Sequence, residues 1–334
     1  MKAARIHQTR GPVKIEETPQ PTPGPGEVLV RAEACGLCHS DLFVQSHDSL
    51  PKLPLTLGHE AVGVVEQLGE GVEGASIGDR LGLTFLHGAC GRCEACLMSH
   101  PELCPRQQYT GFHVDGGFAE YVVARPEYCA RIPAELSPVA AAPFCCAGWT
   151  AFHAVAQAES GSKSWLAVFG VGGLGQLAIQ YARLNGLRVA AVDVNDDKLA
   201  TAKSLGARIV VNSTTQDPVA ALQRIGGVQT AVSFVGRPDV IQQAAQSLRR
   251  NGLLLLVGLD HTDFQLSLVQ TVLHQVRIAG SFLGNPAELA EVMEIAARKE
   301  TAIQTDTCSL DDLPDAMEDM KAGRLPGRVA VKFA

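Results

Sequence analysis

The sequence lacks long apolar runs and clusters of basic residues. Nowhere do about 18 apolar residues follow one another, as a membrane-spanning helix requires. The first nine residues contain Lys2, Arg5 and His7 but no apolar stretch of the kind found in signal peptides. Lys and Arg are scattered along a chain of net charge -7, which argues against a nucleic-acid or anionic-membrane surface. We therefore expect a cytoplasmic protein whose partner is a small soluble molecule, not a nucleic acid or a membrane.

Two patterns divide the chain, whose 334 residues and 46% hydrophobic content suffice for a buried core and two domains. The first part is rich in Gly and Pro, and short alternating apolar runs at 27–32, 61–68 and 118–123 predict strands there. Later, apolar strands alternate with helical stretches, which predicts a parallel, doubly wound sheet. These strands are predicted at 165–169, 188–192, 208–211, 230–235 and 253–257. A tail expected to return to the first domain follows, with two helices and a final strand at 286–299, 310–321 and 328–333.

Four closely spaced cysteines follow the pattern C-x2-C-x2-C-x7-C: Cys90, Cys93, Cys96 and Cys104. Cytosolic cysteines remain thiols, so this spacing indicates a metal site and not disulfides. Four thiolates form a closed tetrahedral zinc site with Zn–S distances of about 2.3 Å. Because such a site leaves no coordination position open, we expect this zinc to be structural and to hold a loop in shape.

A second set of potential ligands is spread along the chain. Cys38 lies in a Cys-Gly-Leu-Cys-His-Ser-Asp segment, His59 lies in Gly-His-Glu, and Cys145 and Cys146 precede Ala-Gly. One His and two Cys leave a fourth position on zinc for water or an alcohol oxygen, whose pKa the metal lowers, as alcohol oxidation requires. The residues alone leave open which of Cys145 and Cys146 faces the metal. They also leave open whether Cys35 and Cys38 form a redox or zinc-knuckle pair.

Ser40 and Asp41, the second and third residues after Cys38, suit such a site. The Ser40 hydroxyl is close enough in sequence to lie beside the reacting oxygen and to take its proton. The Asp41 carboxylate is expected to hold the second ring nitrogen of His59, as carboxylates commonly do for a metal-bound imidazole.

A glycine motif stands between a predicted strand and a predicted helix at 174–184: Gly170, Val171, Gly172, Gly173, Leu174 and Gly175. In this context glycines permit a tight turn and close backbone approach, and the helix N-terminus attracts a pyrophosphate. Asp193 ends the second strand of this region, where a carboxylate accepts hydrogen bonds from the adenosine ribose and repels a 2'-phosphate. The motif therefore predicts NAD in preference to NADP, with Lys198 as a further residue able to reach the ribose.

With these motifs in place, the whole chain resembles the zinc-containing medium-chain alcohol dehydrogenases. The resemblance implies an α/β protein in which a GroES-like, β-rich catalytic domain is combined with a doubly wound Rossmann domain, with the active site in the cleft between them. The domains are expected at residues 1–147 for the catalytic domain and 148–284 for NAD binding. Residues 285–334 are expected to return to the catalytic domain.

The resemblance also implies roles for single residues. Cys38, His59 and Cys146 correspond to the catalytic zinc ligands, with Cys146 preferred because the family places its ligand directly before Ala-Gly. Glu60 corresponds to a carboxylate that can approach the metal, and Ser40 to the proton-relay hydroxyl. Further contacts with the cofactor are implied for His39 at the pyrophosphate, Thr150 at the nicotinamide and Val257 near the fifth strand.

One position departs from the family pattern. Many relatives have a His five residues after the catalytic Cys, at the end of the proton relay, whereas this chain has Phe43. The path of the proton beyond Ser40 is therefore open.

The resemblance implies an NAD-dependent alcohol dehydrogenase with two zinc ions per subunit, assembled as a homotetramer. Its substrates would be small primary or secondary alcohols and the matching aldehydes or ketones. Polyol dehydrogenases, which commonly have Glu as the third ligand, and cinnamyl-type enzymes, which usually use NADP, are alternatives that Cys146 and Asp193 disfavour. A redox sensor that binds NAD and zinc without turnover is an alternative of another class. The sequence does not identify the physiological alcohol.

Overall fold

The computed structural model describes residues 1–159, 164–325 and 327–334. Within them the chain forms two compact units. The first unit comprises Met1–Trp149 together with Gly284–Ala334, and the second comprises Thr150–Leu283. The chain thus leaves the first unit once and returns to it near its end.

The strands of the described residues are, in chain order, β1 (Lys2–Ile6), β2 (Lys14–Glu17), β3 (Val28–Gly36), β4 (Leu55–Thr56), β5 (Glu60–Leu68), β6 (Arg80–Gly82), β7 (Leu86–Gly88), β8 (Gln108–Tyr109), β9 (Tyr121–Ala124), β10 (Ala130–Arg131), β11 (Trp165–Phe169), β12 (Arg188–Asp193), β13 (Ile209–Asn212), β14 (Val228–Ser233), β15 (Leu248–Leu256), β16 (Arg277–Gly280), β17 (Thr305–Cys308) and β18 (Arg328–Lys332).

The α-helices are α1 (His39–Gln45), α2 (Glu94–Leu97), α3 (Pro138–Ala141), α4 (Ala147–Ala156), α5 (Gly173–Leu184), α6 (Asp196–Ser204), α7 (Pro218–Gln223), α8 (Pro238–Gln246), α9 (Leu268–His274), α10 (Pro286–Ala297) and α11 (Leu313–Lys321). Short 3-10 turns occupy Pro101–Leu103, Pro126–Tyr128 and Ala142–Cys145. Among the described residues, no single helix has the length and apolar composition needed to cross a membrane. The segments Pro138–Cys145 and Ala147–Ala156 meet that criterion only as a pair, across a 46° bend.

The first unit is built around β3, whose alternating apolar residues are buried in its sheet. The main sheet has the order β10-β6-β5-β3-β18-β17, and β9 also pairs with β3. β5 runs antiparallel to β3 with Glu60 opposite Gly36, and β18 pairs with the same end of β3, with Ala330 also opposite Gly36. The end of β3, the start of β5 and the start of β18 therefore meet at one place in the sheet.

The second unit is a six-stranded parallel sheet with the order β13-β12-β11-β14-β15-β16. Its helices alternate with the strands, and apolar residues such as Phe169, Val192 and Leu254 form its core. The strand order reverses between β11 and β14, the place where open α/β sheets bind ligands at the carboxyl ends of their strands. This arrangement confirms the predicted doubly wound sheet.

Differences from the predicted elements have local causes. β9 begins at Tyr121 and not at residue 118, because the backbone of Phe118 exchanges hydrogen bonds with Ala4 and Leu57 and not with β3. β16 and α9 were not predicted from the sequence. Both are short and largely exposed, so their side chains lack the periodic burial that a pattern search detects.

Candidate metal centres and cofactor site

The cysteine quartet, Cys90, Cys93, Cys96 and Cys104, is assembled within one loop. The four sulfur atoms lie within 4.8 Å of one another. A left-handed Gly91 turns the chain after the first cysteine, and α2 starts directly after the second. Backbone N–H groups of Cys90 and Arg106 point at the sulfur of Cys104, at 3.4 and 3.3 Å.

The sulfurs of the quartet differ in acidity. A hydrogen bond from the backbone of Arg92 lowers the pKa of Cys90 to about 5, whereas desolvation and the neighbouring thiol of Cys93 raise the pKa of Cys96 to about 11. Four converging sulfurs with backbone donors around them are the ligand set of a closed zinc site, so the residues fit a zinc ion.

A second group, here called the buried cluster, consists of Cys38, His59, Glu60 and Cys146. One ligand atom from each lies within 4.8 Å of the others, and all four residues are buried. The cluster is formed from three segments: the residue directly before α1, the start of β5 with the residue preceding it, and the residue directly before α4. Its members span more than one hundred positions in sequence, so only the folded first unit brings them together.

Asp41 orients two members of this cluster. Its Oδ2 accepts a 2.9 Å hydrogen bond from the Cys38 backbone at the start of α1, and its Oδ1 lies 3.1 Å from Nδ1 of His59. The backbone of Gly58 donates to the same carboxylate. Gly58 has a φ of +93°, and an added Cβ would lie 2.8 Å from Phe118, so the turn that presents His59 requires glycine.

The buried cluster fits a cation. With Nδ1 of His59 facing Asp41, the remaining ring nitrogen, Nε2, is buried without a hydrogen-bond partner among the described residues. Burial lowers the pKa of His59, but Asp41 and Cys38 outweigh it and raise this pKa well above its usual value. A hydrogen bond between the two thiols lowers the pKa of Cys38 and raises the pKa of Cys146. An orphaned nitrogen beside two thiols, in surroundings that favour positive charge, is a donor set suited to zinc.

The glycine motif of the second unit lies between β11 and α5. An added Cβ at Gly175 would collide with the carbonyl oxygen of Gly170, so this glycine permits close packing of helix and strand. Gly172, at the start of α5, faces open space instead. No neighbour among the described residues requires a glycine there, whereas a pyrophosphate approaching the helix N-terminus would.

Comparisons with known proteins agree with both units. Residues 24–134 match the model of the alcohol dehydrogenase GroES-like domain, and residues 173–298 match that of the zinc-binding dehydrogenases. An alcohol dehydrogenase of Geobacillus stearothermophilus is 41% identical to this chain, and the match covers 100% of this chain and 99% of that enzyme. One from Moraxella sp. (strain TAE123) is 40% identical with the same coverage. The crystal structure of the alcohol dehydrogenase from the archaeon Aeropyrum pernix superposes with a TM-score of 0.92, at 33% identity and full coverage of both chains.

The chain belongs to the zinc-containing medium-chain alcohol dehydrogenases. Within this family fold, the structure distinguishes the two adjacent cysteines that the residues alone left ambiguous. Cys146 is in the buried cluster, whereas the thiol of Cys145 points toward the carbonyl oxygen of Ala141, 3.8 Å away. Cys35, the next-to-last residue of β3, points toward the backbone of Gly36 and lies outside the cluster.

Ser40 and Phe85 border the buried cluster. The Ser40 hydroxyl lies 3.7 Å from the sulfur of Cys38. The ring of Phe85 packs edge-on against His59, with 5.0 Å between ring centroids. Phe43, where many family members have His, lies in α1 with its ring 5.9 Å from that of His47.

The residues predicted to contact the cofactor lie in several helices and strands and differ in their exposure. Asp193 ends β12, and Lys198 is half-buried in the first turn of α6. Val257 directly follows β15 at the carboxyl edge of the sheet, and Thr150 is buried in α4. His39 is exposed as the first residue of α1.

Sequence reasoning missed Arg328. This residue is 3% exposed at the start of β18, and its guanidinium forms a short ion pair with both oxygens of Glu60, 268 positions away. Burial raises the pKa of Glu60 to about 7, although Arg328 favours its charged form. No local pattern marks Arg328, because only the pairing of β18 with β3 brings it to β5.

Proposed function

We propose that the protein is an NAD-dependent alcohol dehydrogenase that interconverts small primary or secondary alcohols and the corresponding aldehydes or ketones. The observation that carries this proposal is the buried cluster, in which an unpartnered imidazole nitrogen lies beside two thiols and a serine hydroxyl. The first unit is proposed to be catalytic over residues 1–147, with 285–334 as its returning tail. The second unit is proposed to bind NAD.

Cys38, His59 and Cys146 would hold the catalytic zinc. Bound there, zinc supplies a Lewis acid that lowers the pKa of an alcohol oxygen. Asp41 fixes the orientation of His59 through Nδ1, and Arg328 favours the charged form of Glu60 beside the ligands. Burial of all four cluster residues excludes bulk water and strengthens these electrostatic effects.

Ser40 is proposed to accept the hydroxyl proton of the alcohol at its Oγ and to pass its own proton on. Oxidation removes a hydride and a proton from the substrate, so a hydroxyl at this place completes the proton balance while NAD takes the hydride. Phe43 cannot continue the path, because it has no group that exchanges a proton.

The cysteine quartet is proposed to hold a second, structural zinc, which gives two zinc ions per subunit. Its four thiols leave no open position, and its ligands belong to a single loop. The ion would therefore stabilise the loop and take no part in the reaction.

NAD is proposed to bind the second unit, with its pyrophosphate at the glycine motif from Gly170 to Gly175, including Gly173 and Leu174. The adenosine ribose would contact Asp193, with Lys198 nearby, and Val257 would border the cofactor at the edge of the sheet. His39 and Thr150 are proposed as further cofactor contacts on the strength of the family resemblance alone.

A homotetramer is proposed from the family resemblance, and one feature of the second unit supports self-association. Four apolar residues of α9 are exposed, of which Val272 is the least exposed, at 61%: Leu268, Val269, Val272 and Leu273. The neighbouring strand β16 is the last of its sheet. Apolar patches beside an open sheet edge commonly mark interfaces. A monomeric mass in sedimentation or light scattering would contradict the tetramer.

None of the ten cysteines, all of which the structure describes, forms a disulfide, which suits a reducing compartment and supports a proposed cytoplasmic location.

Formation of NADH across a panel of ethanol, longer alcohols, benzyl alcohol, secondary alcohols and polyols tests the proposed activity. We expect turnover of simple alcohols with NAD and much weaker turnover with NADP. Binding of NADH and zinc without turnover of any alcohol would contradict the proposal and would favour a redox sensor. Preference for polyols, or for NADP with cinnamyl alcohol, would indicate the related enzyme classes instead.

A further inference from the structure

The carboxylate of Asp193 is already engaged by the protein backbone. Its Oδ2 accepts a 2.7 Å hydrogen bond from the N–H of Val171, in the glycine motif. Its Oδ1 accepts two more, from Val194 at 2.8 Å and from Asn195 at 3.1 Å. Three converging donors compensate much of its negative charge, so Asp193 repels a 2'-phosphate less strongly than a free carboxylate would.

A second carboxylate is held at the same edge of the sheet. Asn212 ends β13 and is the register neighbour of Asp193 across the parallel strands. Its side-chain Nδ2 donates a 2.7 Å hydrogen bond to Oδ1 of Asp196, the first residue of α6.

The orientation of Asn212 is not ambiguous. Its Oδ1 accepts hydrogen bonds from both the backbone N–H and the hydroxyl of Thr214, at 2.9 and 2.6 Å. A backbone N–H can only donate, so the oxygen of the amide must face Thr214 and the NH2 group must face Asp196. Asn212 is 8% exposed, which makes it a fixed anchor for an exposed carboxylate.

We propose that Asp196, anchored by Asn212, is a specificity-determining residue that excludes NADP together with Asp193. This inference rests on the proposed binding of NAD to the second unit. A ribose 2'-phosphate carries a charge of about -1.5 to -2, so a second carboxylate, held by Asn212 at the strand end next to Asp193, adds to the repulsion of a phosphate bound at Asp193. NAD has only a hydroxyl at this position and is not repelled. Lys198 lies in the same turn of α6 and would otherwise attract a phosphate.

Asp197 provides a matched control. It is the next residue of the same helix turn, is equally acidic and exposed, and no hydrogen bond joins its side chain to Asn212 among the described residues. Asp196→Asn and Asp197→Asn therefore remove the same charge from the same helix end. They differ in that only Asp196→Asn removes a carboxylate that Asn212 holds in place.

Fluorescence titration of the zinc-loaded protein with NADH and with NADPH measures binding without turnover. We expect Asp196→Asn to lower the Kd for NADPH by about three- to tenfold and to change the Kd for NADH by less than about twofold. Asp197→Asn should change both constants by less than about twofold. Asp193→Ser should weaken NADH binding as well, because the N–H of Val171 loses its acceptor, and only Asp193→Ser with Asp196→Asn should bring the two constants close together.

The proposal is overturned if Asp196→Asn leaves the Kd for NADPH unchanged while its melting temperature matches the parent. It is also overturned if Asp197→Asn has an equal effect, since that would reveal a general charge effect. A parent protein that binds neither NADH nor NADPH would instead refute the proposed function itself, and this inference with it.

Discussion

The cysteine quartet and the buried cluster offer similar metal ligands in opposite structural settings. The quartet lies in one loop, and its sulfurs converge because a glycine turn and a short helix bend the chain locally. The buried cluster joins the segment that follows β3, the start of β5 and the residue before α4, inside the first unit. A metal bound by one loop holds that loop in its folded form and so stabilises the folded chain, whereas a site assembled from distant segments can hold its ligands rigidly for chemistry. We therefore expect loss of the quartet to affect stability most, and loss of the buried cluster to affect activity most.

The largest expected effect comes from Cys146→Ala, compared with Cys145→Ala. Removing a ligand of the buried cluster should lower kcat/KM for alcohol oxidation by more than about 10⁴-fold, since the Lewis acid is lost. Cys145→Ala removes an equally buried thiol from the neighbouring position and should retain activity within about tenfold. Steady-state kinetics with NAD measure both. Equal losses in the two variants would show that the adjacent cysteines are not functionally distinct.

Cys104→Ala tests the other half of the comparison. Because the binding energy of a structural zinc contributes to folding, we expect a loss of about 5 kcal/mol in unfolding free energy and one zinc fewer per chain. Cys129→Ala, a thiol outside both metal groups, should cost about 1 kcal/mol. Calorimetry gives the melting temperatures. If Cys104→Ala melts at the temperature of the parent, the quartet does not support the fold.

Arg328→Met should destabilise the protein by about 3 to 5 kcal/mol, because it leaves the carboxylate of Glu60 buried without its partner. Adding Glu60→Gln should recover a large part of that loss, since the unpaired charge is then removed. A double-variant cycle by urea denaturation measures the coupling between the two sites. Additive losses of unfolding free energy in the two variants would indicate that the ion pair does not balance charge at the buried cluster. As a control, the zinc content of the quartet should be unchanged in every variant.

The smallest effect is expected for Asp41→Asn. The amide cannot accept hydrogen bonds as strongly as the carboxylate and should orient His59 less well. We expect zinc to bind the buried cluster about 10- to 100-fold more weakly, as observed for partners of metal-bound histidines in general. Competition with a chelator measures this affinity, and the quartet zinc of the same molecule is the internal control. Parallel weakening at both sites would point to a general loss of stability instead.

The two regions also differ in how far the sequence predicts them. The spacing of the quartet is a local signal, so its residues could be identified without a fold. The choice between Cys145 and Cys146 could not be made from the residues alone. The directions in which two adjacent side chains point depend on the backbone conformation, which the residue types do not give. Arg328 was missed because it reaches Glu60 only through β3, with which both β18 and β5 pair. The contact of Asp196 with Asn212 was missed because it joins the start of α6 to the end of β13.

The fold itself was more accessible than these contacts. The parallel sheet was predicted because buried strands such as β11 and β12 leave continuous apolar runs, and the glycine motif marks the first turn between strand and helix. The edge strand β16 lacks such a run because little of it is buried. Hydrophobic patterns in the sequence thus predict elements whose side chains are buried, and they do not predict elements whose side chains remain exposed.

The zinc content of the freshly purified protein tests the central claim most directly. Metal analysis by mass spectrometry should give two zinc ions per chain for the parent and one each for Cys104→Ala and Cys146→Ala. Of the two variants, only Cys146→Ala should melt near the melting temperature of the parent. One zinc or none in the parent, or an unchanged content in either variant, would contradict the assignment of separate structural and catalytic zinc sites.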